Sequence, residues 1–183
     1  MASKKLYFLA FIPPQPVYDI VQEIREELSG KYNTHHALRS PPHITLIPPF
    51  MVPQECIDML KDLLSGWSCN RPKFNIVLNG FGQFRQQVIY IRVEENQALV
   101  DSYLSLMLLL SENKYKHNKD QTTFHPHLTI AFKDLDEINF SRAWQAYQYL
   151  PFSASLTIDT LTMLEHSKAG WKVLYEYPLS NNT

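Results

Sequence analysis

The sequence predicts a small domain of alternating strands and helices, folded as two pseudo-symmetric lobes. Three observations carry this reading. Of the 183 residues 45% are hydrophobic, enough to bury a core in one domain or two closely packed lobes. Runs with a strand pattern alternate with runs at helical spacing. The order of elements then starts again halfway along the chain.

The first unit begins with the apolar run Leu6 to Ile12, a buried strand stopped by Pro13, Pro14 and Pro16. Val17, Ile20, Val21, Ile24 and Leu28 then recur at helical spacing, with Asp19, Glu23, Glu26 and Glu27 on the other face and Gly30 placed to end the helix. The polar, breaker-rich stretch KYNTHHALRSPP is a loop. It leads into a strand at residues 43 to 50, HITLIPPF, ending at Pro48 and Pro49. A second helix is expected from about Pro53 to Gly66, with Ile57, Leu60 and Leu64 on one face. Phe74 to Asn79 alternates as a strand, and Gly80 begins a turn segment, GFGQFRQQ.

Val88 to Val93 opens the second unit as a strand. A helix from Gln97 to about Leu110, apolar over most of its circumference, is expected to be the most buried. The polar loop SENKYKHNKDQTTFHP leads to the strand HLTIAF at 127 to 132. A helix near Ile138 to Gln148 and a strand at about Phe152 to Leu164 complete the unit, and a final strand runs from about Trp171 to Tyr177. Each unit thus carries a Pro-His-x-Thr strand. His43 lies 31 residues after the end of its unit's first strand (12 to 43), and His127 lies 34 after its own (93 to 127). A duplicated unit, at about 5–80 and 87–165 within one two-lobed domain, is the economical explanation. Two copies fit a pseudo-symmetric domain and not a solenoid.

Composition excludes several classes of function. With 17 Lys+Arg against 18 Asp+Glu, the net charge of −1 denies the molecule the broad basic field of a non-specific duplex binder, so any nucleic-acid contact is expected to be local. Cys56 and Cys69 form no CxxC motif and are read as free thiols of a reducing compartment. The N-terminal apolar run ends in prolines without a cleavage site, and the longest later one, Leu104 to Leu110, is far short of the ~20 residues of a membrane span. A cytoplasmic protein is expected, with no membrane contact and no obligate protein partner implied.

Residues i and i+2 of a strand share a face, so His43 and Thr45 look out together while Ile44 and Leu46 look into the core. By the same rule His127 and Thr129 look out, and Leu128, Ile130 and Phe132 turn inward. If a local two-fold relates the units, the two pairs face each other across a groove. Imidazole, with an ordinary pKa of ~6.5, serves as proton donor or acceptor near neutrality. Two imidazoles flanking one phosphorus can divide that work, each role contributing roughly 10²- to 10⁴-fold in rate. The threonine hydroxyls can donate to the two non-bridging oxygens of a phosphodiester.

PPHITLIPPF and HPHLTIAF, joined by FGQFRQQVIYIRV, resemble the paired H-x-[ST]-x signatures and the linking glycine-aromatic strand of the two-histidine (2H) phosphoesterase superfamily. The resemblance is to the branch named for 2'-5' RNA ligase and cyclic phosphodiesterase, and it spans Leu6 to Tyr177. It implies a bilobal α+β fold with antiparallel sheets lining a central groove and helices packed outside. It assigns catalysis to His43, Thr45, His127 and Thr129. Members act on cyclic nucleotides, ADP-ribose cyclic phosphates, RNA ends and 2'-5' linkages. No adenylation motif of an ATP-dependent ligase is present, so hydrolysis is the expected direction.

The expected activity is metal-independent hydrolysis of 2',3'-cyclic phosphates of RNA ends or nucleotides, without a cofactor. Reversible joining or cleavage of 2'-5' linkages and a non-catalytic nucleotide- or RNA-binding module are the alternatives. Arg39, Phe50, Arg85, Phe124 and His125 are candidate substrate-binding residues, as aromatic faces for a base or cations for flanking phosphates. Tyr7, Phe11, Phe84 and Tyr90, and Lys119 and Lys133, extend these two sets. His125 and His127 could form half of a metal site, but no Cys, Asp or Glu accompanies them in the motif, and none is expected. His35, His36, His117 and His166 are expected to be solvated.

Overall fold

The structure is a computed structural model and describes residues 3–115 and 124–181, so the candidates His117 and Lys119 lie outside the described residues. The chain runs β1 (Lys4–Phe11), α1 (Val17–Tyr32), β2 (Ile44–Pro53), α2 (Ile57–Ser68), β3 (Phe74–Phe84), β4 (Val88–Val93), α3 (Gln97–Glu112), β5 (His127–Phe132), α4 (Glu137–Tyr147), β6 (Ser153–Ile158), β7 (Thr160–Ser167) and β8 (Gly170–Pro178). Short 3₁₀ turns occupy His36–Arg39 and Gln54–Cys56. The strands form one eight-stranded antiparallel sheet in the order β6-β3-β4-β5-β2-β1-β7-β8. The fold is α+β, as expected.

The shape of the sheet follows from one short connection. Only Asp159 separates β6 from β7, yet the two strands lie six places apart in the sheet. At about 4.8 Å per strand a flat sheet would separate them by roughly 30 Å, and one residue reaches ~3.5 Å. The sheet must therefore curl until the end of β6 and the start of β7 stand close together. Bonds from Leu179 N to Asp159 O (2.7 Å) and from Ser180 N to Arg71 O (2.7 Å) tie the chain after β8 into this closure. The single strand expected from Phe152 to Leu164 is thus two strands, broken at Asp159 and sent to opposite sides of the sheet.

Several boundaries differ from the sequence reading for identifiable reasons. β2 does not stop at Pro48 and Pro49 but continues to Pro53, because these prolines fall where β2 slips register against β1, between Leu9↔Ile47 and Tyr7↔Phe50. A bulge does not need the missing N–H. The second helix consequently begins at Ile57. β3 likewise passes Gly80 through a register shift between Leu78 and Phe81, and the hairpin turn falls later, at residues 85–87. Helix α1 ends on Asn33 in a left-handed conformation (φ 54°), not on Gly30. Helix α3 is not apolar all round in its setting: Leu99, Tyr103, Leu106 and Leu110 are buried, but Leu104 and Leu108 face solvent.

The main core lies between the sheet and the helices, and β2 and β5 meet inside it at one register pair, Ile44 opposite Leu128, both fully buried. Helix α1 packs on β5 and α3 on β2, so each helix of one half covers the motif strand of the other. Substituting Leu128→Ala should cost ~2–5 kcal/mol through lost burial and the cavity left behind. Chemical denaturation will check this, and a loss well under ~1 kcal/mol would show that the seam is not a packed part of the core.

Candidate active site

The seam sets the site. Extending the Ile44↔Leu128 register by one residue either way sets His43 opposite Thr129 and Thr45 opposite His127. Ile44, Leu46, Leu128 and Ile130 are buried, while the four motif residues stand half-buried on the other face. The two His-x-Thr pairs therefore form one cluster in which each imidazole neighbours the other motif's hydroxyl.

Both rings are held identically. His43 Nδ1 lies 2.7 Å from the carbonyl of Pro41, and His127 Nδ1 lies 2.7 Å from the carbonyl of His125. A carbonyl only accepts, so each Nδ1 carries the hydrogen and each Nε2 is left to take or give a proton. Pro42 and Pro126 precede the two histidines and bias Pro41 and His125 towards extended backbone, which sets up this i to i−2 bond.

These residues line a groove of about 550 Å³. Its charged lining residues are Arg25, Arg39 and Lys133, joined by His36 and His166, and none of its lining residues is Asp or Glu. The groove is thus locally basic on a chain whose net charge is −1. One wall is a run of rings: His43 against Phe8 (4.8 Å), Phe8 against Trp171 (4.6 Å), and Trp171 against His166 (4.9 Å). The opposite wall places Phe84 (5.0 Å) and Tyr90 (5.2 Å) against His127, with Phe84 stacked on Tyr90.

Two glycines permit these walls. A Cβ on Gly82 would lie 2.5 Å from the ring of Tyr90, its cross-strand partner. Gly170 has φ +133°, and a Cβ there would lie 2.2 Å from the carbonyl oxygen of Arg39, so only glycine lets the β7–β8 hairpin that carries Trp171 dock on the 36–40 segment. The Arg39 guanidinium secures the same contact by donating to the Lys168 carbonyl at 3.0 Å.

Of the candidate substrate-binding residues, Arg39 lies in the groove, and so does Lys133. Phe50 does not: it shares the inward face of β2 with Ile44 and Leu46 and is buried in the core against Tyr115. Tyr7 and Phe11 are buried as well. Arg85 sits in the β3–β4 turn with a positive φ and is not a groove residue. Phe124 stacks flat on Tyr103 (4.3 Å) and, with His125, lines a separate cavity of about 630 Å³ beyond Phe84. His125 meets the motif through its carbonyl. Among the described residues no group of three or more His, Cys, Asp or Glu is arranged to share a metal ion.

Phe132, expected to point inward, faces the groove, where His36 packs edge-on against it (4.8 Å). A register shift between Ile89↔Ala131 and Tyr90↔Thr129 adds a residue to β5 at Ile130 and reverses the alternation beyond it. His36 and His166 both line the groove wall; His36 is half-buried there, while His166 is exposed, as expected. Sequence reasoning also passed over Phe8, Trp171 and Arg25. The signal for Arg25 was its place on the apolar stripe of α1, between Val21 and Leu28.

The electrostatics depart from two ordinary imidazoles near pH 6.5. His43 is pushed down to about 4, chiefly by burial; the Pro41 carbonyl opposes this, and the charges of Arg25 and His127 add to it. His127 is also lowered by burial, against the pull of the His125 carbonyl. Arg25, lowered by burial to about 10, stays charged at neutral pH. The free groove thus presents two neutral rings with Nε2 lone pairs beside a fixed cation.

A curled antiparallel sheet with two symmetric His-x-Thr pairs in one acid-free groove defines a two-histidine domain. The chain belongs to the 2'-5' RNA ligase superfamily, whose profile matches residues 13–170. It is 27% identical over 172 residues to a provisionally named phosphoesterase of Geobacillus kaustophilus, a match covering 93% of each chain. Its fold is similar to TT0787 of Thermus thermophilus (TM-score 0.75, 17% identity, 97% and 100% of the two chains). It is also similar to Escherichia coli LigT crystallised with 3'-AMP (TM-score 0.70, 21% identity, 97% and 99%).

The pKa directions set the acid stability. The folded protein holds both rings neutral, whereas the unfolded chain takes up protons near pH 6.5. Their contribution to stability is therefore full above about 6.5 and is lost as pH falls towards 4. Histidine NMR titration should find His43 neutral down to about pH 4, and the denaturation midpoint should drop across the same window. A His43 midpoint at the ordinary value would contradict the burial described here.

Proposed function

We propose that this chain is a phosphoesterase that opens 2',3'-cyclic phosphates at RNA ends or in nucleotides by acid–base catalysis between His43 and His127. The observation that carries the reading is the pair of Nε2 atoms freed by matching Nδ1 bonds, set beside two threonines in a groove without carboxylates. His43, the more strongly deprotonated ring, takes a proton from water as the water oxygen bonds to phosphorus. His127, raised again by the bound anion, gives its Nε2 proton to the departing ribose oxygen. One P–O bond forms, one breaks, and a phosphomonoester leaves. Thr45 and Thr129 donate to the non-bridging oxygens as charge gathers there. No metal or cofactor enters these steps.

RNA ends or nucleotides suit the aromatic walls and rim cations. E. coli LigT, the structural neighbour, has been crystallised with 3'-AMP, ATP, NADP+ and phosphate. A second reading, cleavage or joining of a 2'-5' linkage, is favoured by one feature: rings flank the motif cluster on both sides, so each nucleoside of a dinucleotide has a wall. Chromatography of the products from a cyclic nucleotide and from a 2'-5' dinucleotide separates the two. No described helix is long and apolar enough to cross a membrane.

His43→Ala and His127→Ala should each lower turnover of a cyclic nucleotide by at least ~10²-fold while leaving the fold intact, and the double variant should lose little more. The wild-type enzyme should keep its rate in excess chelator. Near wild-type turnover by either single variant would end the two-histidine mechanism for this chain.

Turnover should be bell-shaped in pH, since one ring must be neutral and the other protonated, and the limbs report the pair together. A substrate with a better leaving group should rescue His127→Ala far more than His43→Ala. Equal rescue, or a flat profile from about pH 5 to 9, would rule out this division of labour.

A further inference from the structure

Arg25 has an environment that packing alone does not explain. It is 1% exposed and lies on the buried stripe of α1. Its Nε donates to the carbonyl of Thr129 at 3.1 Å and its Nη1 to the carbonyl of Ser40 at 3.0 Å. One bond thus reaches the second motif and the other the segment that leads into the first. A guanidinium carries five N–H donors, and the remaining ones have no partner among the described residues.

No carboxylate compensates the charge. The groove that Arg25 lines contains none, the α1 acids Asp19, Glu26 and Glu27 pair with Gln15, Gln22 and Lys31 on the exposed face, where Glu23 also lies, and Asp134 is occupied by Thr34 and the backbone of His35 and His36. Two carbonyls could be bridged by a neutral donor, whereas burying an uncompensated cation carries a desolvation penalty, which lowers Arg25 to about 10. A charge retained at that cost beside an acid-free cavity is suited to an anion that arrives there.

We propose that Arg25 is a positioning residue that latches the two motif segments at a set spacing and supplies the fixed positive charge beneath a bound phosphate. The inference rests on the reading of the groove as a phosphate site and not on any particular turnover. The latch explains how the two histidines, brought by different halves of the chain, keep one spacing: a single rigid fork holds Ser40 and Thr129 together. The charge also adds to the burial that keeps His43 a free base in the empty groove. The other groups facing His43 are His127 across the seam and, round the walls, His36, Arg39, Lys133 and His166.

The test uses Arg25→Met and Arg25→Lys with inorganic phosphate as the probe. Affinity is read from the His43 and His127 ring signals by NMR, without turnover. Failure of the cyclic-phosphate reading would leave this measurement untouched. Arg25→Met should weaken phosphate binding by about tenfold or more and move the His43 titration up from about 4, with burial still holding it below its ordinary value. Arg25→Lys, which keeps the charge without the fork, should keep His43 low and recover part of the affinity. A Met variant that binds phosphate within about twofold of wild type, or a Lys variant no better than Met, would overturn the proposal. Should Arg25→Met not fold, the Arg25 Nε signal of the wild-type protein decides: it should shift when phosphate is added, and a signal that stays in place at saturation would equally overturn it.

Discussion

The site depends on one short pairing. β2 and β5 touch at a single register pair, Ile44 opposite Leu128, and that contact sets which motif residues share a face and which lie opposite each other. Because both residues are fully buried, the register cannot slip by one without carrying the apolar set to the groove and the histidines into the core. Core packing and site geometry are therefore one constraint: the residues that make the seam hydrophobic alternate with those that make it reactive.

Closure of the sheet supplies the rest of the cavity. The one-residue link at Asp159 brings β7 beside β1, and β8 follows it, so the hairpin bearing His166 and Trp171 becomes a wall of the groove. The fit of that wall is steric. Gly170 admits the Arg39 backbone, and on the other side Gly82 admits the Tyr90 ring. Bulges in β2 and β5, each three residues after its histidine, bend both motif strands at the same place. Phe132 is turned into the cavity, while Phe50 keeps the core side it shares with Ile44 and Leu46.

The electrostatics follow from the same arrangement. A chain of net charge −1 has gathered cations and imidazoles on one concave surface and placed carboxylates elsewhere, with Asp134 spent on capping the 36–39 turn and Glu165 on Lys5 and Lys172. Burial lowers both histidines, so the empty groove is a site of neutral bases beside a buried guanidinium. An anion entering it meets positive charge in a region of reduced dielectric, where that charge acts more strongly than at the open surface.

By itself the sequence determined the element types, the alternation that turns His43, Thr45, His127 and Thr129 to one face, and the pairing of two like motifs in one chain, because these depend on spacing within a few residues. It also contained a signal at Arg25, a cation on an apolar stripe. Tertiary structure alone decided that the strand expected from Phe152 to Leu164 splits and closes the sheet, that a bulge inverts Phe132, that Phe124 leaves the groove for Tyr103, and that Phe8, Trp171, His36 and His166 enter it. The physical reason is range. Alternation and capping are local, but register slips, strand order and the neighbours that bury an imidazole or a guanidinium come from other elements of the chain, as Thr129 comes to Arg25 from 104 positions away, and no periodicity along the chain encodes them.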